Sequence, residues 1–128
     1  MSARSISCIV LLSTFMLSIS GCAIALVGAG AAAGVGYVKG DLEAVLQDDI
    51  NSVYEASLKA VKKLDLVIVS KEKNALDAEI ISRTSADKKI KIRLKRADEN
   101  LTKLSIRIGT FGDEAQSRAI YDKIKQNL

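Results

Sequence analysis

Two late stretches of the chain alternate strictly between apolar and charged residues, and this alternation constrains the architecture more than any other feature. In Lys89–Arg96, the residues Ile90, Ile92 and Leu94 interleave with Lys89, Lys91, Arg93 and Lys95. Leu101–Gly109 repeats the pattern, with Leu104, Ile106 and Ile108 as its apolar set. A period of two sends successive side chains to opposite faces of an extended chain, so both stretches are expected to be strands with one buried and one wet face. One-sided burial belongs to antiparallel sheets, because strands of parallel sheets are covered on both faces.

The rest of the chain supplies the covering layer. Leu66–Lys71 is β-branched and aliphatic, and Leu76–Thr84 carries Ala78 and Ile80 on one face. Tyr37–Gln47 reads as a further strand, with Leu42, Ala44 and Leu46 pointing inward. The links Lys73-Asn74, Ser85-Ala86-Asp87 and Asp98-Glu99-Asn100 have turn chemistry. A helix is expected over Asp49–Leu64, capped by Asp48, with Ile50, Val53, Tyr54, Ser57, Val61 and Leu64 on one face. A second runs over Asp113–Gln126 with Ile120, Tyr121, Ile124 and Leu128 as its stripe. The order is β-α-β-β-β-β-α. It predicts an α+β domain: a five-stranded antiparallel sheet with both helices on one face.

The N-terminus follows a different logic. Arg4 and the amino group precede an apolar run, Ile6–Leu17, and small residues then lead to Ile19-Ser20-Gly21-Cys22. Charge, apolar run and small residues in that order make a secretory signal. Its last four residues resemble the bacterial lipobox, which implies a diacylglycerol thioether on Cys22 and cleavage between Gly21 and Cys22. It also implies acylation of the new amino group, typically by palmitate. A thiolate is the strong nucleophile such a bond requires. Two or three acyl chains anchor firmly where one does not. The expected segments are a signal over 1–21, a lipidated Cys22 with an Ala/Gly-rich stretch over 22–36, and the α+β domain over 37–128. The Ala/Gly stretch is a tether or a membrane-associated helix with Gly30 and Gly34 four apart. Gly28-x-Gly30-x-x-Ala33 loosely fits a dinucleotide fingerprint, but no βαβ unit surrounds it.

Composition narrows the chemistry. Of the two cysteines, Cys8 falls in the leader and Cys22 is the lipid site, so no disulfide is expected. The chain has no His, the commonest general base and metal ligand. No catalytic residue, metal or cofactor is implied, and the expectation is a protein that is not an enzyme. The formal net charge is +4, one unit of it from Arg4, which does not by itself argue for nucleic acid. The strands also lack paired exposed aromatics for base stacking.

Gly21-Cys22, the Ala/Gly run, Tyr37-Val38-Lys39-Gly40, the helix around Val53–Leu64, Ile90–Leu94 and Ile106–Glu114 form a recurring set. Together they resemble a family of small bacterial lipoproteins known by a domain-of-unknown-function label. The Gly109-Thr110-Phe111-Gly112-Asp113-Glu114 segment is the most specific of these. The topology is also similar to helix-grip domains, including those of a lipoprotein in the outer-membrane β-barrel assembly machine. This likeness concerns fold only. Ala23, rather than Asp, follows Cys22, which resembles outer-membrane sorting in enteric bacteria.

Two surfaces stand out as candidate contacts. Lys89, Lys91, Arg93, Lys95, Lys103 and Arg107 are expected on one sheet face, suited to an anionic partner or to solvation alone. The corner Thr110, Phe111 and Asp113 is either a partner contact or an ordinary turn, with Asp113 or Thr110 as cap and Phe111 plugging the core. The reading is a periplasm-facing, lipid-anchored envelope protein, structural or accessory, that binds an envelope protein, lipid or cell-wall component. The alternative is a module holding a lipid or small amphiphile between helices and sheet.

Overall fold

The computed structural model describes residues 34–128. The signal, Cys22 and the Ala/Gly run to Ala33 lie outside the described residues. In chain order the elements are β1 (Val35–Val38), β2 (Asp41–Leu46), α1 (Ile50–Lys63), β3 (Val67–Lys73), β4 (Asp77–Arg83), β5 (Lys89–Asp98), β6 (Leu101–Ile108) and α2 (Glu114–Lys125). The strands form one six-stranded antiparallel sheet in the order β1-β2-β6-β5-β4-β3.

The α+β class holds, but the sheet has six strands rather than five. The stretch expected as one strand, Tyr37–Gln47, is a hairpin: Lys39 and Gly40 take φ of 51° and 89°, which turns the chain back on itself. Positive φ at both central residues matches the twist of a two-residue hairpin. β1 begins at Val35, so Val35 and Gly36 belong to the sheet and not to the stretch before it.

Register explains the layering. Ala44, Leu104, Leu94 and Ala78 lie side by side across β2, β6, β5 and β4. The next row is Leu42, Ile106, Ile92 and Ile80. All eight are buried. Both helices pack on this face, α1 over β3 to β6 and α2 over β2 and β6. From α1 come Ile50, Val53, Tyr54, Ala60 and Val61, and from α2 come Ile120, Tyr121 and Ile124. Each fully buried Leu, Ile or Val contributes roughly 1.5–3 kcal/mol of transfer free energy, so this single apolar layer drives the fold. Ala56 and Ala60 widen the expected stripe on α1, whereas Leu128 is exposed.

Helix caps follow side-chain chemistry. Asp49, rather than Asp48, caps α1: its carboxylate accepts from the backbone N–H groups of Asn51 and Ser52 at 2.9 and 3.2 Å. Asp48 instead offers its carbonyl to the buried Thr102 hydroxyl at 2.8 Å. Buried Ser57 is satisfied within α1, donating to the Val53 carbonyl at 2.7 Å.

Candidate functional site

Two segments far apart in sequence meet at one corner of the sheet. The first is the β1–β2 turn, Lys39-Gly40, and the second is the β6–α2 loop, Gly109–Asp113. Arg107, near the end of β6, joins them. Its Nη2 donates to the Lys39 carbonyl at 3.1 Å and reaches the Thr110 carbonyl at 3.5 Å. Its Nη1 lies 3.1 Å from Asp41 Oδ1, an ion pair without hydrogen-bond alignment. Gly40 and Gly112 then bring the two backbones together. A Cβ on Gly112 would collide with the Gly40 carbonyl and the Tyr37 hydroxyl, and one on Gly40 would lie 2.6 Å from the Phe111 carbonyl. Only glycine permits this approach, and both residues have positive φ.

The corner holds Phe111 outward. Its side chain is 91% exposed, so it does not plug the core. Val38, in β1 beside the turn, is 52% exposed. Thr110 is exposed, and Asp113 is the residue that caps α2, accepting from the Gln116 N–H at 3.0 Å. The expected turn chemistry is therefore present, but the aromatic serves no packing purpose within it. A large apolar side chain on a rigid exposed loop has lost the usual reason for its presence.

The open face of the sheet gathers the expected basic residues. Lys91 faces Arg107 and Lys95 faces Lys103 across β5 and β6, with Arg93 opposite Ser105 and Lys89 at the head of β5. The sequence does not reveal which acids join them. Asp41 and Glu43 enter from β2, and Asp77 and Glu79 from β4. Arg93 and Arg107 both approach Asp41, at 3.7 and 3.1 Å. The face is thus a mixed field of charge. Lys95 meets Asp77 across β4 and β5, whereas Lys103 lies opposite Val45 and Lys91 opposite Ile81.

Among the described residues, the apolar core lies between the helices and the sheet. A pocket of about 160 Å³ opens at its margin, lined by Leu64, Leu66, Ile90 and Ile120 with Thr84 and Gln116. Pockets that enclose a ligand usually span roughly 300–1,000 Å³, so this one offers a dimple rather than a chamber. Among the described residues, no group of three His, Cys, Asp or Glu side chains is gathered as metal ligands. No described helix is long and apolar enough to cross a membrane. The Asp49 carboxyl is held below its ordinary value of 3.8 by hydrogen bonds from Ser52 and Asn51, which is capping chemistry.

Sequence reasoning missed Tyr37, Val38, Lys39, Gly40 and Asp41 as parts of this corner. The available signal was Gly40, since a glycine inside an apparent strand marks a turn or a close backbone approach.

The chain belongs to the family described as Protein of unknown function (DUF3568), whose model matches residues 5–127. The match takes in the apolar N-terminal run and Cys22 as well as the folded domain. No curated protein matches the chain.

Proposed function

Taking membership of this family as the premise, we propose that the chain is a lipid-anchored bacterial envelope protein, held through Cys22 to the periplasmic side of the outer membrane. Its folded domain acts without catalysis, as an accessory module that contacts another envelope component. The order Arg4, Ile6–Leu17, Ile19-Ser20-Gly21-Cys22 supports the anchor, and the family match spans this segment from Ser5 onward, Arg4 lying just outside it. The exposed Phe111 carries the contact reading. It is an aromatic side chain on a loop fixed by Gly40, Gly112 and Arg107, and nothing in the fold requires it there. Rigid exposed aromatics lose little conformational entropy when they become buried in a contact.

Expression of the full chain in a bacterial host tests the anchor. Wild-type protein should fractionate with membranes and carry the mass of a diacylglycerol and a fatty acyl group on an N-terminal Cys22. Cys22→Ala should abolish both the added mass and the cleavage. Wild-type protein of unprocessed mass would refute the anchor. For the contact, crosslinking in intact cells should capture envelope material through the Phe111 corner, and capture at random over the surface would count against it.

A further inference from the structure

We propose that the end of the sheet carrying Phe111 docks on an anionic phospholipid surface, with Phe111 entering the interface and the lysines of the neighbouring turns and strand ends meeting the phosphates. The proposal rests on the lipid-anchor reading and names what the domain contacts.

The topology brings several connections to this one end. The pairs Val38–Asp41, Asp41–Arg107 and Lys91–Arg107 align the β1–β2 turn with the end of β6 and the start of β5. The Gly109 N–H donates to the Lys89 carbonyl at 2.8 Å, and Arg83 pairs with Lys89, which adds the β4–β5 turn. Lys39, Lys88 and Lys89 are exposed there, and Lys91 lies one row inward, half-buried. None of these four makes an ion pair among the described residues. Most carboxylates at this end are engaged: Asp41 with Arg107, Asp87 with Arg83, Glu114 with Arg118, and Asp113 as a helix cap. Asp65, in the α1–β3 connection, is the counterweight, and it leaves the end net positive.

An exposed aromatic sharing one sheet end with unpaired lysines suits a lipid surface better than a protein pocket. The cores of protein interfaces are depleted in lysine, whereas interfacial membrane contacts combine an apolar insertion with basic residues at headgroup level. Each lysine near an anionic leaflet raises occupancy roughly fivefold. One Phe and four lysines would bind weakly from free solution. On a lipid tether the same contacts act at high effective concentration and set the domain's orientation.

The chain contains no Trp, so Phe111→Trp introduces a single indole reporter at an exposed position. The full acylated chain carrying this substitution is reconstituted in phosphatidylethanolamine–phosphatidylglycerol vesicles and, separately, in phosphatidylcholine vesicles. In the anionic vesicles, indole emission should shift to shorter wavelength and be quenched by lipids brominated on their acyl chains. Lys39→Gln with Lys91→Gln should lower the docked-to-undocked ratio roughly 30-fold at low salt. Water-like, unquenched emission from protein that cosediments with anionic vesicles would overturn the proposal. So would a shift seen only when an envelope protein fraction is added, which would assign the corner to a protein partner. Failure of the anchor reading shows separately, as absent acyl mass and no cosedimentation with phosphatidylcholine. In that event, emission with excess anionic vesicles still decides the corner, quenching supporting it and its absence rejecting it.

Discussion

The backbone of Gly112 rests directly against that of Gly40, so close that the Cβ of any other residue at 112 would fall 2.6 Å from the Gly40 Cα. Gly112 also has a φ of +83°, which L-residues rarely adopt. Two penalties therefore coincide there, one steric and one conformational. Gly109 carries only the second, with φ of +65° and open space around it, and Gly36 carries neither. Alanine scanning of the three should rank them accordingly in urea unfolding. Gly112→Ala should cost about 2–5 kcal/mol, Gly109→Ala about 1–2, and Gly36→Ala should be close to neutral. Equal losses at Gly112 and Gly109 would mean that the contact with Gly40 is not maintained in solution.

Arg107 is the polar counterpart of that glycine contact. Its guanidinium holds the Lys39 and Thr110 carbonyls while facing Asp41. Both loops lose a shared donor if it is removed. Because the side chain is 35% exposed, water compensates in part, and Arg107→Ala should cost roughly 1–2 kcal/mol. Lysine has one point of charge and no planar fork, so Arg107→Lys should recover less than half of that loss. Hydrogen exchange supplies a local check. The amides of Thr110–Gly112 should exchange faster in Arg107→Ala, while those of β4 should not change.

The two-layer arrangement was legible because Ile90, Ile92, Leu94, Leu104, Ile106 and Ile108 follow one rule at every position, and a buried sheet face enforces it. The first hairpin was not. Leu42, Ala44 and Leu46 share the parity of Val38, so an unbroken strand fits the pattern and only Gly40 marks the break. The six basic residues did fall on one face, as their spacing requires. Their partners Asp41, Glu43, Asp77 and Glu79 come from β2 and β4, and strand order cannot be read from alternation alone. Phe111 stayed open between two readings for a related reason. A lone aromatic beside glycines serves as a core plug or as a contact, and its exposure on the loop packed through Gly112 against Gly40 removes the plug.

Asp49 makes the stability of α1 depend on pH at its acidic limit. Its carboxylate accepts from Ser52 Oγ and from the backbone N–H groups of Ser52 and Asn51, so its folded pKa lies below the ordinary 3.8. The folded state therefore binds this proton less tightly than the unfolded state. That contribution is fully present above 3.8 and is lost as pH falls through the lower folded value. Asp49→Ala should lower the thermal midpoint at neutral pH, and the gap from wild type should narrow at pH values below 3.8. A gap that stays constant through that range would show that charge plays no part in the cap.

Buried hydroxyls in this domain should fall into two classes on removal. Thr102 is fully buried, and its Oγ1 donates to the Asp48 carbonyl at 2.8 Å, which ties β6 to the chain entering α1. Thr102→Val keeps the shape but takes the donor from that part-buried carbonyl, a loss of about 1–2 kcal/mol. Ser82 and Ser117 are equally buried, yet their hydroxyl oxygens have no partner among the described residues. Replacing either by alanine removes a desolvated polar group and disrupts no bond, so Ser82→Ala should be neutral or stabilising by up to about 1 kcal/mol. Ser117 sits within α2, where alanine is also the better helix former, and Ser117→Ala should gain a further ~0.5 kcal/mol. Denaturation midpoints of the three variants check the division directly. A marked loss at Ser82 or Ser117 would reveal a buried water that the hydroxyl serves, and a harmless Thr102→Val would mean that the Asp48 carbonyl finds another donor.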